Sequence, residues 1–120
     1  DQYAEVLCRA TDLPVIITDR DHVISVSGIS KKEYLERRIS SELETLMESR
    51  TNYTASADEE PIYPISGMSR EAAVAYPIIG SGDVSGCVVL LLNSDGSLPS
   101  ETERKLVAVA ASFLGKQMEE

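Results

Sequence analysis

Histidine and cysteine, on which much nucleophilic catalysis and zinc binding depend, are scarce in this chain. It has one histidine, His22, and two cysteines, Cys8 and Cys87, that lie far apart with no CxxC pair. The sequence therefore predicts two buried thiols. Asp19, Asp21 and His22 share one turn but lack the distant ligands that close a metal site. Since no serine or cysteine has a recognisable base, we expect no catalytic residue, no metal and no enzyme activity.

Positive charge and long hydrophobic runs are also in short supply. Eleven Lys and Arg stand against twenty Asp and Glu, for a net charge of -9. Such a surface repels phosphate backbones and anionic lipid headgroups. The apolar runs are far shorter than the roughly 20 residues of a membrane span, and no basic, apolar leader opens the sequence. We therefore expect a cytoplasmic protein without direct contact to DNA or membrane.

What the chain does have is enough apolar material for one core. Hydrophobic residues make up 42% and charged residues 26% of its 120 residues, which is ordinary globular composition and predicts a single domain over residues 1–120. The sequence begins without a methionine, inside a predicted helix. We expect an excised domain whose upstream part is missing.

The first half of the sequence alternates helical and strand patterns. Apolar spacings of three and four predict a helix over residues 1–11. Two β-branched runs, residues 15–18 and 23–26, flank a polar turn and predict an antiparallel hairpin. S-x-x-E motifs at Ser30 and Ser41 resemble capping boxes, so short helices are predicted over residues 31–38 and 42–50. The apolar face of the first helix is predicted to contain Tyr3, Val6, Leu7 and Ala10.

The second half contains a polar loop, a second hairpin and a long helix. Residues 51–68 predict a loop with at most a short strand over residues 62–65. Residues 72–92 form an apolar run split by Ser81-Gly82-Asp83, which predicts two central strands. Pro99, Ser100 and Glu103 predict the start of a helix that runs to about residue 119. This helix is apolar around most of its circumference, so one side must meet another helix.

These elements predict an α+β fold. Its antiparallel sheet carries the N- and C-terminal helices on one face, with the short helices and the variable loop on the other.

Short segments spread over nearly the whole chain are individually weak signals, but together and in this order along the sequence they are specific for one family. They are Asp19-Arg20-Asp21, Val26-Ser27-Gly28, Ser30-Lys31-Lys32, Tyr34-Leu35, Ile39-Ser40, Pro77-Ile78, Gly86, Val88-Val89, Ala111, Phe113-Leu114 and Gln117-Met118-Glu119. The element order resembles a GAF domain, and the segments resemble the C-terminal domains of the stage V sporulation protein T family of transcription regulators. The resemblance implies a regulatory domain preceded by a separate DNA-binding domain in an oligomeric regulator of sporulation genes. It also implies that residues 51–68 contribute to ligand specificity.

The turn from the second predicted strand into the short helix predicted over residues 31–38 is our candidate ligand site. It leaves a strand, turns at a glycine and enters a helix with free N–H groups, where an anion would dock. Two tyrosines are expected to line the same cavity. The alternative is that the glycine only permits the turn, the serine caps the helix, the lysines are solvated and the tyrosines belong to the core. The candidate ligand-binding residues are Ser27, Gly28, Ser30, Lys31, Tyr34 and Tyr76.

The terminal helices are our candidate oligomerisation surface, with a dimer as the expected state. The residues chosen for it are Leu7, Leu106, Val109, Phe113 and Leu114. Two functions remain open: a sensor that binds an unidentified small molecule and modulates DNA binding by another domain, or a purely structural oligomerisation module without a ligand. A pocket with uncommitted polar groups would favour the sensor, and a closed apolar interior the module. No other cofactor is expected.

Overall fold

The computed structural model describes residues 2–117, which form nine helices and strands around one sheet. In chain order these are α1 (Gln2–Thr11), β1 (Val15–Thr18), β2 (Val23–Ser27), α2 (Lys31–Tyr34), α3 (Ser41–Ser49), β3 (Tyr53–Thr54), β4 (Ala72–Gly80), β5 (Asp83–Leu91) and α4 (Glu101–Gln117).

Two hairpins and one short strand make up the antiparallel sheet, whose strand order is β2-β1-β5-β4-β3. The hairpins join through β1 and β5, where Val15 is opposite Leu90 and Thr18 is opposite Cys87. β5 is therefore central, and its residues from Gly86 to Leu91 are all buried. Both predicted hairpins and the α+β class are confirmed.

The sheet separates two apolar cores, because alternate side chains of each strand point to opposite faces. On β5, Val88 and Leu90 pack with α1 and α4. Val89 and Leu91 pack with α2, α3 and the loop after β3. The predicted distribution of helices over the two faces is therefore correct.

α4 lies in direct contact with the backbone of β4. A Cβ atom at Gly115 would collide with the carbonyl oxygen of Ile79, so only glycine permits this approach. The helix begins with a reciprocal capping box: the Ser100 hydroxyl accepts from the Glu103 N–H at 3.1 Å, and the Glu103 carboxylate accepts from the Ser100 N–H at 2.8 Å. The predicted end of this helix near residue 119 lies outside the described residues.

α2 is shorter than predicted, since it ends at Tyr34 rather than at residue 38. Leu35 is extended and Glu36 is left-handed, with φ 67°. The next residues pair with the edge of the sheet instead: the Glu36 N–H donates to the Val23 carbonyl and the Val23 N–H donates to the Arg37 carbonyl, both at 2.9 Å. Tertiary pairing thus replaces the last helical turn.

Two further regions differ in detail from the prediction. The cap of α3 is Ser40 rather than Ser41, and its hydroxyl accepts from the Leu43 N–H at 3.1 Å. Over residues 62–65, where at most a short strand is predicted, the structure has a single bridge, between Ile65 and Ile39. The short strand of this region is β3, which pairs with β4 and gives the sheet its fifth strand.

The buried face of α1 is also rotated from the predicted one. Ala4, Leu7 and Thr11 are buried. Val6 is 60% exposed, and Ala10 is exposed as well. The first helix therefore contributes Leu7 to the core between the sheet and the terminal helices. Part of its predicted apolar face is left in solvent.

Candidate functional site

The residues expected to form one ligand cavity lie on different sides of the sheet. Tyr34 is 8% exposed and belongs to the core beside α2 and α3. Tyr76 packs against the core beside α1 and α4. The prediction that both tyrosines line one cavity is therefore wrong.

The turn around Gly28 is packed against α1. Gly28 has φ +85°, and a Cβ atom there would lie 2.7 Å from Cys8 Sγ and 3.2 Å from Pro14 Cα. The Ser30 hydroxyl accepts from the Glu33 N–H at 3.4 Å and so serves as the cap of the four-residue α2. Ser27 is half-buried and Lys31 is exposed. Close packing at Gly28 therefore joins the end of β2 to the first helix.

Tyr76 is engaged by α4. Its hydroxyl accepts a hydrogen bond from Arg104 Nη1 at 2.7 Å. The same guanidinium donates to both carboxylate oxygens of Glu101, at 2.9 and 2.8 Å. The contacts with Glu101 and then with Tyr76 raise the pKa of Arg104. This three-residue group connects the first turn of α4 to β4, which is a structural role.

The interior between the sheet and the short helices is filled by the protein's own side chains. Leu43 and Ile65 are almost fully buried, and Met47 and Tyr53 are at most 5% exposed. They pack with Val89 and other strand residues in one continuous apolar cluster. This part of the structure matches the closed interior expected of a structural module.

At the rim of this core lies an open cleft of about 460 Å³. The residues that line it are Tyr34, Arg37, Gly67, Met68, Ser69 and Arg70. Arg37 Nε donates to the Glu33 carbonyl at 2.9 Å, and Arg70 Nη2 donates to the Leu92 carbonyl at 3.3 Å. Among residues 2–117, neither guanidinium forms an ion pair with a carboxylate.

Of the predicted ligand-binding residues, Tyr34 alone is among those that line this cleft. The sequence did not indicate Arg37, which lies in the short helix predicted over residues 31–38, or Arg70, which follows the loop predicted over residues 51–68. The two segments meet through backbone pairing: the Ser66 N–H donates to the Arg38 carbonyl at 3.0 Å. No local sequence pattern signals this contact.

The outer surface of the terminal helices is apolar. Val6 is 60%, Val109 62% and Phe113 46% exposed, and the Phe113 ring stacks on Tyr3. Leu7 is only 4% exposed and lies in the core, so its assignment to an oligomer surface is corrected. Leu106 and Leu114 are half-buried against that same core. We name Tyr3, Val6, Val109 and Phe113 the helix-pair surface.

The ligand atoms of Asp19, Asp21 and His22 lie within 4.8 Å of one another. However, Asp19 Oδ1 already accepts from the backbone N–H groups of Asp21 and His22, both at 2.7 Å. Partial burial would raise the pKa of Asp19, but these two hydrogen bonds outweigh it and the pKa is lowered. The cluster is thus explained by the turn between β1 and β2.

None of the helices between residues 2 and 117 has the length and apolar character needed to cross a membrane.

Comparison with solved structures identifies the fold. The GAF domain/HD domain protein from Geobacter sulfurreducens superposes with a TM-score of 0.66 over 98% of this chain and 90% of its own, at 15% sequence identity. This similarity shows a GAF-like fold.

Comparison with known sequences identifies the family. Stage V sporulation protein T of Bacillus subtilis (strain 168) is 37% identical over 121 residues, which cover 99% of this chain and 66% of that protein. The family described as "Stage V sporulation protein T C-terminal, transcription factor" matches residues 1–119. The chain therefore belongs to the family of C-terminal domains of stage V sporulation protein T transcription factors.

Proposed function

We propose that this chain is a regulatory domain that self-associates through the helix-pair surface, binds a small molecule on the opposite side of the sheet, and so modulates DNA binding by a separate N-terminal domain. The proposal rests on one observation: the sheet separates two different surfaces of the molecule. One side presents exposed apolar residues, and the other presents a cleft with unpaired polar groups.

Self-association is supported by the exposure of Val109 and Phe113 one helical turn apart on α4. Apolar residues grouped in this way on a soluble surface are typical of protein interfaces. Val6 on α1 and Val109 on α4 are each more than half exposed, and burial of such side chains in a dimer is favourable. The expected partner is a second copy, and the expected state is a dimer.

The sensor is favoured over the purely structural module by the cleft, because Arg37 and Ser69 have groups left uncommitted by the rest of the described chain. The closed core beneath it is the observation in favour of the module. A ligand on the rim does not need an empty interior. The sensor and the structural module therefore differ in whether the rim of the core binds a ligand.

A physical connection leads from this rim to the terminal helices. The backbone of Arg37 is hydrogen-bonded to Val23 at the start of β2. At the end of β2, Gly28 lies against Cys8 of α1. A ligand that binds two arrangements of the 35–38 segment with different affinity would bias the position of α1, with a coupling free energy of about 1 to 3 kcal/mol.

Any effect on DNA must pass through another domain, since a net charge of -9 repels the extended phosphate backbone of DNA. The chain spans 66% of the length of its Bacillus subtilis relative, which leaves room in that protein for such a domain. We further infer that the domain catalyses no reaction, because His22, its only histidine, is exposed in a turn. His22→Ala should leave regulation unchanged.

The test compares the full-length regulator with a version in which this domain is replaced by a coiled coil of the same oligomeric state. The measured quantity is the operator dissociation constant, with and without small-molecule extract from the host. The proposal expects a difference, or a response to extract that only the intact protein shows. Equal constants and no response would assign the domain to the purely structural function.

A further inference from the structure

We propose that the cleft formed by Tyr34, Arg37, Met68, Ser69 and Arg70 binds a small organic anion through a carboxylate or phosphate group. This inference rests on the proposed function, because it names the ligand class of the sensor. The cleft has a volume of about 460 Å³, which lies within the range of about 300 to 1,000 Å³ of small-molecule sites.

The two arginines define the charge of the ligand. Each guanidinium is held by one backbone carbonyl, and in the described part of the chain neither is neutralised by a carboxylate. Each therefore has N–H donors to spare. Guanidinium groups recognise planar or tetrahedral oxyanions by paired hydrogen bonds. In a chain with almost twice as many acidic as basic residues, two unpaired arginines in one concave site make that site selective for anions.

Tyr34 supplies an independent observation. Tyr34 is 8% exposed as a residue and lines the cleft, and its hydroxyl is open to solvent there, with no hydrogen-bond partner between residues 2 and 117. The hydroxyl and that of Ser69 are therefore available to a ligand in the cleft.

The apolar residues of the lining indicate what the ligand carries besides its acidic group. Tyr34 and Met68 both line the cleft and pack on the apolar core, so an aromatic residue and a thioether share this lining with the arginines. An apolar group would contact these two side chains while its acidic group reaches the arginines. The predicted ligand is thus an organic acid or an organic phosphate rather than a free inorganic ion.

The test uses nuclear magnetic resonance titrations of the 120-residue chain. The probes are benzoate, phenyl phosphate, inorganic phosphate and the neutral benzyl alcohol. The variants are Arg37→Gln, Arg70→Gln and Tyr34→Phe, and the matched control is Arg9→Gln, which removes the same charge from α1 on the other side of the sheet.

Benzoate or phenyl phosphate should shift the backbone amides of Gly67 and Ser69 saturably, and the tighter of the two identifies the acidic group. Either arginine variant should weaken that binding by about tenfold, as expected for a lost charged hydrogen bond, and Tyr34→Phe should weaken it severalfold. Arg9→Gln should have no effect, and benzyl alcohol should not bind.

Three results would overturn the inference: no saturable shift at the cleft, equal binding by the double variant Arg37→Gln/Arg70→Gln, or inorganic phosphate binding as tightly as the organic probes. A response of operator binding to extract without anion binding here would reject this inference alone. Anion binding here without any effect of the domain on the operator would reject the regulatory function alone.

Discussion

The ring of Tyr3 on α1 stacks on the ring of Phe113 on α4, with centroids 5.3 Å apart and planes 27° from parallel. The contact joins the two terminal helices within the helix-pair surface. A partner that binds this surface therefore contacts both helices together.

Val109→Glu tests the proposed dimer. Val109 is 62% exposed, so the variant should fold normally. In a dimer its carboxylate would be buried without a partner, which should raise the dimer dissociation constant by at least about a hundredfold. Sedimentation equilibrium measures this change.

The control is Thr45→Glu, which adds the same charge to an exposed position of α3 on the other face of the sheet. This variant should dimerise like the parent chain. A parent chain that is monomeric at high micromolar concentration would contradict the prediction.

Gly28→Ala tests the contact between β2 and α1. The new methyl group would lie 2.7 Å from Cys8 Sγ, on a residue with φ +85°. Left-handed backbone and overpacking together should lower the free energy of unfolding by about 2 to 4 kcal/mol. Chemical denaturation measures the loss. Cys8→Ala in the same chain should restore part of it, because it removes the sulfur but not the strain. Strictly additive effects would show that the sulfur is not the obstacle.

Tyr76→Phe tests the link between α4 and β4. The variant loses the acceptor of the 2.7 Å hydrogen bond from Arg104 but retains the aromatic ring. We expect the melting temperature to fall by a few degrees. Tyr63→Phe, at another half-buried tyrosine, should have less effect. If Arg104→Met lowers the melting temperature equally in the parent and in Tyr76→Phe, the two residues are not coupled.

The two thiols should differ in reactivity. Cys87 is fully buried, which raises its pKa far above the ordinary value of 9.0, whereas Cys8 is half-buried. At mildly alkaline pH a thiol reagent should therefore modify one cysteine per native chain quickly, and Cys8→Ser should abolish that fast reaction. Fast modification of Cys87 in the folded Cys8→Ser variant would contradict the buried position.

The same burial predicts a dependence of stability on pH. The unfolded chain ionises its thiol above about pH 9, while the folded chain keeps Cys87 protonated. The contribution of Cys87 is complete below that pH and falls as the pH rises. Cys87→Ala should reduce this alkaline loss of stability in denaturation measurements.

The elements that could be predicted from the sequence are those that local pattern determines. The β-branched runs and the turn at Ser81-Gly82-Asp83 define two hairpins, and Ser100 with Glu103 defines the start of α4. The C-terminal end of α2 could not be predicted, because the backbone of Glu36 is hydrogen-bonded to Val23 of β2 instead of continuing the helix. That pairing exists only once the sheet has formed.

The candidate site was less predictable than the fold. Tyr34 and Tyr76 are both aromatic and near apolar runs, but the face that each occupies depends on the register of a strand and on where a short helix is placed. Arg37 and Arg70 come together because two irregular segments pair through Arg38 and Ser66. Neither segment has a periodicity that would indicate its neighbour.

The contact of Gly115 with the Ile79 carbonyl limits how α4 can move. Any rotation of the helix about its own axis would bring the Cβ atom of a neighbouring residue against that carbonyl. Sliding along the axis keeps a small residue over the strand only for a short distance. The remaining motion is a tilt with Gly115 as the pivot, and a tilt that moves the start of α4 must break the hydrogen bond from Arg104 to Tyr76 of β4. In a dimer held through Val109 and Phe113, such a tilt would change the angle between the two copies.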